Sequence, residues 1–176
     1  QQAQQTNLFG EAIATTTQKS AVVQQDIFAE MAHVKTFEDS NAQYQLIDTE
    51  ASLQQFIDKA LLQNEISFDT ETTSKDAMQA DLVGLSFSWK NKEGYYLPVS
   101  EDRNEVLQVL QKLQVLFSKK EILWIGQNIK YDLLMLKQYG FSLEGEVFDT
   151  MIAHYNIEPE GKHSMDQMAF KYLEYQ

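Results

Sequence analysis

The sequence has 176 residues, 43% apolar and 23% charged, which describes a globular chain of about one domain. It has no Cys, excluding disulfides, thiolate zinc sites and cysteine nucleophiles, and only three His, too few for a histidine-rich metal centre. The formal net charge of −12 is opposite to the basic balance of proteins that grip nucleic acid by its phosphates, and fits a solvated surface or carboxylates that hold divalent metal.

Residues 1–42 read as a linker or loosely packed arm: seven of the first 25 residues are Gln, and Thr15-Thr16-Thr17 follows. The N-terminus, Gln1-Gln2-Ala3-Gln4-Gln5, lacks the basic and apolar regions of a secretory signal, and its lack of an initial Met marks a fragment or a processed chain. No apolar run approaches the length of a membrane span. Compact structure is expected over 43–176. Tyr44–Ile47 reads as a strand, Thr49 as an N-cap, and Leu53, Phe56, Ile57, Ala60 and Leu61 recur at helical spacing. Ile66–Asp69 reads as a strand. From Leu82 to Trp89, Val83, Leu85, Phe87 and Trp89 alternate with Gly84, Ser86 and Ser88, so they are expected on one face of a strand. Asn91–Gly94 reads as the turn of a hairpin, and Tyr95–Leu97 as its return strand. Val106, Leu110, Leu113 and Phe117 form a helical stripe, Ile122–Ile125 a short buried strand, and Ile129, Leu133 and Leu136 a helix stopped near Gly140. Val147-Phe148 is a last strand, Asp149 caps a helix over 150–157, and Ser164-x-x-Gln167 is a capping-box pattern opening a final helix. The order implies an α/β fold, a mixed β-sheet flanked by α-helices.

Two clusters carry chemistry. Asp69-Thr70-Glu71 closes a strand, and alternation puts both carboxylates on one face if the extended backbone continues through Glu71. Such a pair suits hard divalent cations, and two cations about 3.5–4 Å apart can clamp the attacking and leaving oxygens of a phosphodiester. It also suits a plain solvated strand end. In Gly126–Asp132, Asn128 and Asp132 are four apart, near a helix N-terminus that follows a strand end, where α/β folds place their sites. Taken alone, capping by Asn128 with an exposed Asp132 is the simpler reading.

Phe68-Asp69-Thr70-Glu71-Thr72, then Leu82–Phe87, Gly126–Asp132, Phe148-Asp149-Thr150-Met151 and Lys162–Asp166, in this order and spacing, resemble the 3′–5′ proofreading exonuclease domain of bacterial family A polymerases, the DNA polymerase I group. The likeness runs from about Tyr44 to the end. It implies a ribonuclease-H-like fold of the DEDD superfamily and 3′–5′ hydrolysis of DNA by two Mg²⁺ or Mn²⁺ ions. Asp69 would bridge both metals, Glu71 would bind one metal and the attacking water, and Asp132 would help to hold the second. Thr72, Asn128 and Tyr131 match positions that touch the terminal nucleotides of a single-stranded 3′ end. The implied setting is the bacterial cytoplasm, with a polymerase domain in the same parent chain acting in replication and repair.

The sequence departs from that pattern in two places. The third motif of the family, Tyr-x-x-x-Asp, has no match in the family's order here, because Tyr44–Asp48 precedes the first motif and reads as a strand, so it is expected downstream of Gln176. The 176 residues assayed alone are therefore expected to be nearly inactive. Where the family often carries an apolar wedge, this chain has Lys75, with Met78 nearby as a substitute. Two rival readings are a non-catalytic exonuclease-like module that supports a polymerase domain, and an RNA 3′ exonuclease of the same superfamily. Gln5–Phe9 resembles the pentapeptide that docks on bacterial sliding clamps. His163 reads as a surface or capping residue, His154 as a mid-helix residue, and Trp89 and Trp124 as core.

Overall fold

Alternation of apolar and polar side chains builds the centre of the molecule. In the computed structural model, which describes Lys35 and residues 41–175, strand β2 (Glu65–Thr72) buries Ile66, Phe68 and Thr70 and turns Ser67, Asp69 and Glu71 to its other face. β3 (Leu82–Ser88) and β4 (Glu93–Pro98) continue antiparallel from it, and β1 (Gln43–Leu46) runs parallel to β4. On the other side β5 (Leu123–Gly126) and β6 (Glu146–Asp149) are parallel to β2. The sheet is therefore mixed and six-stranded, in the order β1-β4-β3-β2-β5-β6. The arm expected over 1–42, apart from Lys35 and the last two residues, and the pentapeptide Gln5–Phe9 lie outside the described residues. Lys35 makes an isolated parallel bridge to Tyr175.

Helices α1 (Glu50–Ala60) and α2 (Arg103–Phe117) face the sheet with the stripes their sequences carry. Leu53, Phe56, Ile57 and Ala60 are buried from α1; Val106, Leu110, Leu113, Leu116 and Phe117 are buried from α2. Against them the sheet presents Phe68, Phe87 and Trp124, with ring centroids 5.3 Å apart for Phe68–Phe87 and 5.9 Å for Phe68–Trp124. Each fully buried large apolar side chain contributes about 1.5–3 kcal/mol. Thr49 starts α1 through a capping box with Ser52, and Asp102 caps α2 by accepting from Asn104 N–H.

Among the described residues α3 (Lys130–Gln138) follows β5, α4 (Thr150–Ile157) follows β6, and α5 (Met165–Leu173) follows α4. Gly140 stops α3. Its φ of +85° is ordinary only for glycine, and the N–H of Phe141 then reaches back to the Leu136 carbonyl at 3.0 Å. Arg103 stacks on the Tyr139 ring, 4.2 Å from its centroid, and donates to the Gln138 carbonyl at 2.6 Å. Tyr139 Oη accepts from Leu82 N–H at 3.0 Å, which ties the end of α3 to the start of β3. No described helix is long and apolar enough to cross a membrane.

Several local expectations give way to tertiary context. Val83 is 41% exposed while Leu82 is buried, because the register steps from Glu71↔Gly84 to Thr72↔Leu82 and leaves Val83 unpaired across a bulge. Gly94 lies inside β4 rather than in the turn; a Cβ there would meet the Tyr44 ring at 2.7 Å, so the close approach of β1 requires a glycine. Ser164 occupies the N-cap position of α5, yet its hydroxyl makes no cap bond.

Candidate active site

β2 brings Asp69 to the sheet face opposite the core, across from the small side chain of Ser86. A cleft of about 600 Å³ opens there, lined by Asp69, Ser67, Ser86, Ser88 and Tyr96. Extended backbone does continue through Glu71, so Glu71 shares this face and stands exposed beside Asp69.

Asp132 arrives from a different element. It sits in the first turn of α3 and is only 2% exposed, so the reading of an exposed Asp132 is overturned. The reading that Asn128 shares its helix face fails too. Asn128 precedes α3 with a left-handed φ of 56°, and the N-cap position belongs to Ile129, which makes no side-chain cap bond. Instead Asn128 N–H donates to Asp149 Oδ1 at 3.1 Å. That oxygen also caps α4, accepting from Met151 N–H at 2.9 Å and Ile152 N–H at 3.3 Å. Asp149 was legible in the sequence as a cap, but its hold on the Asn128 loop was not.

Thr72 and Tyr131 meet directly, their hydroxyl oxygens 2.6 Å apart. Both also bond to the Ser74 carbonyl, Thr72 Oγ1 at 3.0 Å. With Asn128 and Lys75 they line a second cleft of about 460 Å³. The residues expected from sequence to contact substrate thus converge, while Met78, the expected substitute wedge, is exposed.

The electrostatics single out two carboxyls. Burial, with the neighbouring charges of Asp132 and Glu71 adding to it, pushes Asp69 up from 3.8 to about 6. Burial also raises Asp132 and outweighs the hydrogen bonds from Thr70, with the charge of Asp149 adding to the rise. Carboxyls held this way lack a compensating positive charge, which a divalent cation supplies. Among the described residues no three His, Asp or Glu side chains stand close enough to hold a metal between them. Mg²⁺ suits such a site, since it keeps several waters and takes one or two carboxylates plus substrate phosphate. Asp69 and Asp132 fit that donor set.

The remaining sequence features fall elsewhere. Trp124 is fully buried, and Trp89 is partly buried against the core, stacked on Tyr95 at 4.3 Å between centroids. His163 is not a lone surface residue: its Nδ1 lies 2.6 Å from Nδ1 of the buried His154, whose Nε2 is 3.0 Å from Tyr172 Oη. Sequence spacing carried no sign of this pair, because it joins α4 to the loop before α5.

Residues 44–176 match a family model described as 3′–5′ exonuclease, of the DNA polymerase A type. DNA polymerase I of Borreliella burgdorferi is 37% identical over 159 residues, covering 89% of this chain and 17% of that protein. The chain thus spans about a sixth of the length of this curated relative. Among solved structures, Trypanosoma brucei RNase D in complex with RNA U12 superposes with a TM-score of 0.61 at 18% identity, covering 81% of this chain and 49% of that one. Brucella melitensis NrnC with bound Mg²⁺ gives 0.55 at 13% identity, covering 75% and 61%. At these identities the structural likeness establishes the fold, a ribonuclease-H-like one.

Proposed function

The chain belongs to the 3′–5′ exonuclease family of A-type DNA polymerases, and from that membership we propose that Asp69, Glu71 and Asp132 form the centre of a proofreading exonuclease acting on single-stranded 3′ ends of DNA. The observation that carries the reading is that Asp132 is bonded to Thr70 of β2, next to Asp69, and is near enough for its charge to add to the rise on Asp69. Asp69 and Asp132 are over sixty positions apart in sequence, and each is pushed up by burial.

Asp69 and Asp132 would hold the cations, Mg²⁺ or Mn²⁺, with Glu71 completing the acidic rim. When bound, a pair of such ions polarises the phosphodiester and lowers the pKa of the attacking water. Glu71, exposed beside Asp69, would bind one metal and hold that water, taking up its proton. The new bond would join the water oxygen to the terminal phosphorus, the P–O3′ bond would break with its oxygen taking a proton from solvent to become the new 3′-hydroxyl, and a nucleoside 5′-monophosphate would leave. Thr72, Tyr131 and Asn128 line the adjoining cleft and would hold the terminal nucleotide by hydroxyl and amide hydrogen bonds. A polymerase domain in the same polypeptide would supply the mispaired ends, and the parent protein would serve replication and repair.

The reading is tested in the full-length protein with 3′-labelled single strands. Asp132→Asn should abolish release of monophosphate from DNA while leaving the melting temperature at or above that of the wild type. Retained hydrolysis would overturn the site. Preferential hydrolysis of an RNA strand by the unaltered protein would overturn the substrate class.

A further inference from the structure

Thr70 stands between the two acids of β2 but faces the core side, where it is buried. Both of its donors end on one atom. Its N–H reaches Asp132 Oδ1 at 2.9 Å and its Oγ1 reaches the same oxygen at 2.6 Å. The cause lies in the sheet. β5 pairs with β2 only as far as Ser67↔Ile125, while β3 occupies the other edge of β2 through Thr72. The Thr70 N–H therefore points past the end of β5, where no ladder partner exists and a buried donor must still be satisfied. Asp132, in the first turn of α3, supplies the acceptor. The hydroxyl adds a second bond to the oxygen that the N–H holds. A single bond would let the carboxylate swing about it; two from one residue fix where that oxygen sits.

We propose that Thr70 is a positioning residue that clamps one oxygen of Asp132, so that this carboxylate meets the same divalent cation as Asp69. The inference rests on the exonuclease reading of the site. It assigns a role to the middle residue of Asp69-Thr70-Glu71: the strand that carries two of the acids also aims the third. The role requires a short side chain with a hydroxyl, which Ser meets and the isosteric Val does not.

The test compares Thr70→Val, Thr70→Ser and Asp132→Asn in the full-length protein. The first readout is the Mn²⁺ concentration giving half-maximal hydrolysis of single-stranded DNA. Groups that orient a metal ligand typically affect metal affinity or activity by about 10–100-fold, so Thr70→Val should raise that concentration by about that factor and Thr70→Ser should restore it. The second readout is the Asp132 rotamer in a metal-free crystal structure, which should change in Thr70→Val and persist in Thr70→Ser. Wild-type Mn²⁺ dependence in Thr70→Val, an unchanged rotamer, or equal impairment in Val and Ser variants would each overturn the proposal. Asp132→Asn separates the two levels. If it too leaves the Mn²⁺ dependence unchanged, the site reading has failed; if it is impaired while Thr70→Val is not, only the role of Thr70 has.

Discussion

Replacing Asp69 by Asn should stabilise the metal-free protein near neutral pH while abolishing hydrolysis. The folded state holds Asp69 at about 6 against its ordinary 3.8, by burial first and by the charges of Asp132 and Glu71 second. Between those two values the folded state binds more protons than the unfolded one, so stability falls as pH rises through that window. The destabilisation is complete above about pH 6 and absent below about pH 4. By linkage the rise corresponds to about 3 kcal/mol. Asp69 is only half-buried, and solvent screening reduces that to about 1 kcal/mol. For a chain of this size about 1 kcal/mol moves the melting temperature by roughly 2–4 °C. Thermal unfolding followed by circular dichroism in EDTA should therefore show Asp69→Asn melting about 2–4 °C above wild type near pH 7.5, and level with it near pH 4. Adding Mg²⁺ should raise the wild-type melting temperature, since a ligand that binds only the folded state stabilises it, and should raise that of the variant much less. A variant less stable than wild type near pH 7.5, or one whose advantage persists near pH 4, would refute the claim that burial and neighbouring charge hold the Asp69 carboxyl above its ordinary range.

Tyr131→Phe removes the hydroxyl that meets Thr72 and the Ser74 carbonyl; steady-state kinetics should show KM for single-stranded DNA rising several-fold with kcat little changed, and a loss confined to kcat would remove Tyr131 from the substrate cleft. Phe68→Ala empties the point where Phe87, Phe117 and Trp124 meet; it should cost about 3–5 kcal/mol in urea unfolding, and a loss below about 1 kcal/mol would mean that the sheet core repacks around the gap. Leu8→Ala with Phe9→Ala should weaken binding to a bacterial sliding clamp, read by surface plasmon resonance, without altering hydrolysis of naked DNA; equal clamp affinity would leave Gln5–Phe9 as linker.

Local order was legible from the sequence because local backbone preferences create it. The alternation of Ile66, Phe68 and Thr70 against Ser67, Asp69 and Glu71 places the two acids on one face whatever the rest of the chain does. Thr49 and Asp149 cap the helices they precede, because a short side-chain oxygen satisfies N–H groups only a few residues away. Gly140 ends α3 for an equally local reason. The tertiary structure alone decided where Asp132 goes. Its burial and its bonds to Thr70 span 62 positions of sequence, and they exist because β5 stops short and leaves a buried N–H to be answered. The same holds for the bulge that expels Val83, the approach of Tyr44 that requires Gly94, and the pairing of His154 with His163. Each depends on which elements become neighbours, and periodicity within one element holds no record of what will lie across from it.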